Sequence, residues 1–144
     1  MINQKGFTLL ETILVLTIAT IVIPITFNQY AAAAERQELN GFTARLQDLI
    51  HYAQMSAVSE EKYAVVYFNN DFHRVDVLLD SNVIKSLEAS SHIQFEKGTH
   101  SLTITLSPKG TIVDRAGSLY VKTEHFTKKV IFLLGQGRFY VETL

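Results

Sequence analysis

No cysteine occurs anywhere in the chain, which excludes disulfides, thiolate nucleophiles and cysteine-ligated zinc. A domain without disulfides or a cysteine-bound metal has to be held by its core alone. An excess of charge of one sign is also lacking. The 13 basic and 14 acidic side chains leave a net charge of -1, without the basic surplus of a dedicated nucleic-acid binder. His51, His73, His92, His100 and His125 never stand three or four residues apart, as a helical metal-binding pair requires. No serine stands in a nucleophile elbow. Gly135-Gln136-Gly137 has neither the glycine-rich continuation nor the following helix of a phosphate loop, and reads as a hairpin turn. There is no internal repeat and no low-complexity stretch. The expectation is a non-enzymatic protein of one modest domain, with no catalytic residue, cofactor or metal.

The apolar residues are concentrated at the N-terminus. Residues 7–27 read FTLLETILVLTIATIVIPITF. Fourteen of these 21 are apolar and five are threonine, whose hydroxyl bonds back to a helix backbone, so the run has the composition of a membrane helix. Its length matches the roughly 20 residues that a hydrocarbon core of about 30 Å requires. Lys5 is the one charge before it, which places the N-terminus in the cytoplasm and the rest outside. A secretory signal peptide is an alternative, since residues 31–34 are all alanine and offer small side chains for cleavage. A plain membrane anchor is another. Pro24 lies inside the run and is expected to kink or loosen the helix. Glu11 is the unusual residue. A carboxylate at mid-membrane costs about 2.5–3.5 kcal/mol and less near an end, so Glu11 calls for a partner or for the positive end of the helix dipole.

The segment Lys5-Gly6-Phe7-Thr8-Leu9-Leu10-Glu11 resembles the prepilin signal: a short polar leader, glycine, an aromatic, then Thr-Leu-Leu-Glu opening an apolar helix. The resemblance implies a leader over residues 1–6 and cleavage by prepilin peptidase between Gly6 and Phe7. It further implies N-methylation of Phe7, and pairing of Glu11 with the free amine of a neighbouring subunit's Phe7. Such pairing sets register, because one axial offset satisfies both charges.

Beyond residue 27 the pattern stays helical but becomes amphipathic. Leu39, Phe42, Leu46, Leu49, Ile50 and Ala53 recur at three-and-four spacing, predicting one buried face on a helix that ends near Ser59. Gly41 weakens the case for continuity. From Lys62 the period becomes that of strands, expected at 63–68, 72–79, 83–87, 93–96, 102–106, 118–122, 129–134 and 139–143. Polar turns separate them. The expectation is an α+β protein, with one long N-terminal helix packed on a small antiparallel β-sheet head. Its divisions are 1–6 (leader), 7–27 (transmembrane and filament-core helix), 28–61 (amphipathic continuation) and 62–144 (head).

The C-terminal half, from Leu106-Ser107-Pro108-Lys109-Gly110 to Gly137-Arg138-Phe139-Tyr140-Val141, resembles minor pseudopilins of type II secretion systems. The whole chain is most similar to the D-type minor pseudopilins of the Gram-positive competence (DNA-uptake) pilus. That resemblance implies a cell-membrane and pilus location. The implied partners are other pilin and pseudopilin subunits, prepilin peptidase, an assembly platform with its ATPase, and membrane lipid before assembly. Secretion pseudopili and adhesion or motility pili are the alternative settings. Without Lys5 and Glu11 the chain has 12 basic and 13 acidic side chains, so direct DNA contact is expected to be weak. A local patch built from Lys109, Arg115, Lys122, Lys128 and Lys129 remains open and would bind in a strongly salt-dependent way.

Overall fold

The computed structural model describes residues 8–133 and 137–144, and omits the side chains of residues 24–29. The described residues form one helix, α1 (Leu9–Ser59), and eight strands. The chain divides into two compact units, Met1–Ala34 and Glu35–Leu144.

Helix α1 starts where its sequence provides a cap. The Glu11 N–H donates to the Thr8 hydroxyl at 3.3 Å and to the Thr8 carbonyl at 3.0 Å. Thr8 and Glu11 thus stand at the N-cap and third positions of a capping-box sequence. At the other end Glu61 takes a positive φ of 53°, with Lys62 N–H donating to Ala57 O at 3.0 Å and Glu61 N–H to Val58 O at 3.4 Å. This is a Schellman ending, built on a glutamate where glycine is usual. The backbone stays helical through Pro24 and Gly41. Gly41 is exposed, and a Cβ built there meets nothing within 4 Å. Gly41→Ala should therefore raise the unfolding free energy by about 0.5–1 kcal/mol, read as a higher denaturant midpoint at unchanged slope.

In the Glu35–Leu144 unit the strands form the expected antiparallel head, divided into two four-stranded sheets. The first has the order β3-β2-β1-β5, with β1 Ala64–Asn69, β2 Arg74–Leu79, β3 Asn82–Glu88 and β5 Thr103–Leu106. The second has the order β4-β6-β7-β8, with β4 Gln94–Lys97, β6 Gly117–Lys122, β7 Thr127–Phe132 and β8 Phe139–Thr143. All pairings are antiparallel. The β2–β3 turn is a two-residue loop with both Asp80 (φ 49°) and Ser81 (φ 68°) left-handed, the geometry that matches strand twist in tight hairpins.

All six apolar helix positions expected to face the core are buried, and Ala57 extends the stripe. They share one core with Val66 and Phe68 of β1, Val75 and Val77 of β2, Ile104 and Leu106 of β5, and Leu119, Val121, Val130 and Phe132 of the second sheet. Phe95 of β4 joins the layers. Its ring lies 5.8 Å from Phe42 on the helix and 5.3 Å from Phe68 in the first sheet. The Asn70 amide makes a paired bond with the Phe95 backbone, accepting from its N–H and donating to its carbonyl, each at 2.8 Å. This ties the β1–β2 turn to β4 and satisfies backbone groups on an edge strand.

Candidate assembly site and apolar helix

Gly6 and Phe7, the expected cleavage and methylation residues, lie outside the described residues. Glu11 does not. It is exposed in the first turn of α1, where the helix dipole favours an anion, and has no ion-pair partner among the described residues.

The helix on both sides of Glu11 presents apolar side chains all round. Leu9, Leu10, Ile13, Leu14, Leu16 and Ile21 are each more than half exposed. A helix apolar all round is built for lipid or for other apolar helices. Its threonines are internally satisfied: Thr12 donates to Leu9 O, Thr17 to Ile13 O and Thr20 to Thr17 O, each at 2.8 Å. No hydroxyl among these three has to seek water, so the surface behaves as apolar. No helix among the described residues is long and apolar enough to cross a membrane. The part of the expected span with described side chains, residues 8–23, rises about 24 Å, against a hydrocarbon core of about 30 Å. Phe7 and the side chains of 24–27 complete that expected span and lie outside the description.

The Glu35–Leu144 unit contains polar ties that sequence reasoning missed. Glu35 on α1 meets the β6–β7 turn. It accepts the His125 backbone N–H at 2.9 Å, and its other oxygen lies 2.9 Å from His125 Nδ1. The Thr123 hydroxyl and then the His125 backbone N–H hold the Glu35 carboxyl down at about 2. The hydrogen bond that the His125 ring donates to Glu35, and then the Glu35 charge, raise the His125 imidazole. The signs follow from linkage. The Glu35 contribution is present above 4.5 and lost as pH falls through about 2, whereas that of His125 is present below 6.5 and lost as pH rises through its raised value. Both are at full strength between 4.5 and 6.5. Raising the pH from that window to about 9 should lower the denaturant midpoint of the wild type, and His125→Ala should flatten this decline.

Farther along the helix, the Gln54 amide donates to the carbonyls of Gly110 and Gly137, joining two turns to α1.

The basic residues considered for DNA do not gather into one patch. Lys122 and Lys129 lie on the face of the second sheet opposite the core, Lys122 paired with Glu96 and Lys129 in register with Glu142. Lys128 points to the other face, where burial and then the nearby Arg36 push its ammonium down. Lys109 is in the Ser107–Gly110 turn, and Arg115 lines a separate cavity.

Three comparisons bear on these features. Residues 1–23 match the prokaryotic N-terminal methylation motif. Competence protein ComGD of Bacillus subtilis (strain 168) is 27% identical over 140 residues, covering 97% of this chain and 94% of that protein. Two crystal structures of the Pseudomonas aeruginosa (strain PAO1) type IV minor pilin FimU share the fold. One has a TM-score of 0.61 at 15% identity, covering 75% of this chain and 90% of that one. The other has a TM-score of 0.59 at 14% identity, covering 72% and 91%. With a methylation motif at its start, a helix apolar on all sides and a head that shares the fold of a type IV minor pilin, this chain is similar to type IV pilin-like minor pseudopilins.

Proposed function

We propose that this chain is a minor pseudopilin of a competence pilus, needed for filament assembly and for uptake of transforming DNA. The observation that carries this reading is the end-to-end similarity to a competence protein, 97% of one chain on 94% of the other. A shared leader motif alone would leave the pilus system open, whereas this similarity runs through the head as well.

In this reading the subunit waits in the cell membrane, N-terminus in the cytoplasm and head outside. Prepilin peptidase cuts after Gly6, and Phe7 becomes the methylated N-terminus. An ATPase-driven platform then moves the subunit into a bundle of such helices. The exposed apolar side chains from Leu9 to Ile23 exchange lipid for neighbouring subunits, so packing and lost lipid contacts nearly balance. Polar terms then decide register. Glu11, exposed and without an ion-pair partner among the described residues, is placed to neutralise the amine of a neighbour's Phe7. The role is structural and involves no catalysis. Direct contact with DNA is weak, because the lysines of the second sheet stand beside glutamates.

The test is transformation of the source strain lacking this gene, complemented by wild type or by Glu11→Ala. Rescue by wild type alone, with Glu11→Ala protein present at normal level, is the expected result. Unimpaired uptake in the deletion strain would remove the competence role and favour a secretion pseudopilus or an adhesion or motility pilus. Full rescue by Glu11→Ala would remove the register role alone.

A further inference from the structure

The last two turns of α1 and the β2–β3 hairpin leave a groove of ≈ 370 Å³ between them. Tyr52 and Met55 of α1, Leu79 of β2 and Ile84 of β3 give it an apolar lining, and Glu60 is its one charged residue. A bulge helps to build it. Val77 faces Lys85 and Leu78 faces Val83, so Ile84 is an extra residue in β3. Ile84 thus lines the groove next to Lys85, whose ammonium lies 4.3 Å from the Tyr52 ring centroid. The apolar lining is open to solvent, with Met55 70% exposed. An enclosed cavity of about 150 Å³ takes a benzene ring, so the groove has room for an aromatic side chain.

We infer that this groove receives Phe72 of a second copy of the chain. The inference rests on reading the chain as a filament subunit. Phe72 is the one exposed phenylalanine among the described residues of the Glu35–Leu144 unit. It precedes β2, whereas Leu79 ends that strand, which puts the two about 20 Å apart at the rise of a strand. A copy therefore cannot fill its own groove, but a second copy can. The charges around the two surfaces are complementary. Asp71 beside Phe72 carries a negative charge and Lys85 beside the groove a positive one, and neither has an ion-pair partner among the described residues. Glu60 also lacks such a partner. Arg74, whose guanidinium lies 5.2 Å from the Phe72 ring centroid, binds Asp76 through Nε and keeps its terminal nitrogens for Glu60.

The placement of the two surfaces suits a filament. They are different surfaces, so the contact is heterologous and propagates from copy to copy. They also lie at different heights along α1. Phe95 links Phe68, at the Phe72 end of β1, to Phe42 of the helix. The groove begins at Tyr52, ten residues farther on, which is about 15 Å of helix. Copies that stand parallel, each anchored by the start of α1, make the contact through an axial offset.

The test places p-benzoylphenylalanine at position 72 of the full chain, in membranes of a host that makes no other pilin. Adducts formed on irradiation are mapped by mass spectrometry. The probe keeps an aromatic ring at the site and inserts into C–H bonds, those of methionine among the most readily. The expected result is crosslinked pairs and higher multiples whose adducts fall in the groove, Met55 foremost. The same probe at Tyr140, exposed on β8, should give no adduct there. Association of the apolar helices alone would not direct adducts to the groove. Lys85→Glu should lower the crosslinked yield about fivefold, the scale of one exposed ion pair, and adding Asp71→Lys should restore it. Adducts only outside the groove, an unchanged yield in Lys85→Glu, or no recovery in the double variant would overturn the inference. So would capture, in the source strain, of a different protein in place of the second copy. DNA uptake by the deletion strain is a separate measurement, so loss of this contact would leave the competence reading standing.

Discussion

Phe95→Ala should lower the unfolding free energy of the head by about 3–5 kcal/mol, the range for removing a buried phenylalanine ring. A domain of this size has about 5–15 kcal/mol in total, so the loss is a large part of the whole. The cost falls at the upper end because of what Phe95 touches. It is 3% exposed, and its ring meets Phe42 of α1 and Phe68 of β1, while its backbone is bonded to the Asn70 amide. Deleting the ring opens a cavity where three layers meet, and both neighbouring rings belong to other elements held by their own pairings. Collapse into the void is therefore limited, and limited collapse is what makes a cavity expensive. Phe72 is the control. It is 68% exposed in the β1–β2 turn, with the Arg74 guanidinium 5.2 Å from the ring centroid. Phe72→Ala should cost less than about 1 kcal/mol, the scale of an exposed cation–π contact. Denaturant unfolding of the two variants, followed by circular dichroism, measures the contrast. Similar losses for both would refute the description of Phe95 as the joint between layers.

Local periodicity made much of this fold legible. The Leu39-to-Ala53 stripe announces itself at three-and-four spacing because a single helix face buries it, and all of its members are buried. All eight strands stand within a few residues of their expected places, because alternation and polar turns are features of neighbouring residues. Which strands pair is a different kind of information. β1 takes β5 as its second partner, and β4 pairs with β6. Those choices split the strands into two sheets, and no periodicity within one strand records them. The polar ties were hidden for the same reason. Glu35 and His125 are 90 residues apart, and Gln54 and Gly137 are 83 apart. Their residue types are ordinary surface types, and only the fold makes them partners. Position 61 shows a local rule overridden: a glycine would have marked the helix end, but a glutamate takes the left-handed conformation. Glu11, the proposed register residue, stands out because a carboxylate in an apolar run is anomalous in the sequence itself.

The second large effect is expected at Gly137. Gly137→Ala should destabilise the head by about 2–5 kcal/mol, from two independent penalties. Its φ is +62°, where an L side chain costs about 1–2 kcal/mol. A Cβ there would also sit 2.4 Å from the Gly110 carbonyl oxygen and 3.1 Å from Gln54 Nε2. The first of these is backbone, held by its own turn through the Gly110 N–H to Ser107 O bond of 2.8 Å, so it does not simply swing aside. Forcing extra volume into a packed site costs about 1–3 kcal/mol more. Gln54→Ala separates the contributions. It removes the amide that joins both turns to α1 but leaves the close approach of Gly137 to Gly110. Its cost should be the smaller, about 1–3 kcal/mol for carbonyls left without their donor. In the double variant the two losses should sum to more than is observed, because a Gly137 turn already displaced by the methyl no longer receives the Gln54 bond. Additive losses in that cycle would mean that the helix and the two turns are not mechanically linked. Sub-additive losses would mean that the contact between Gly110 and Gly137 is what places both carbonyls within reach of one side chain of α1.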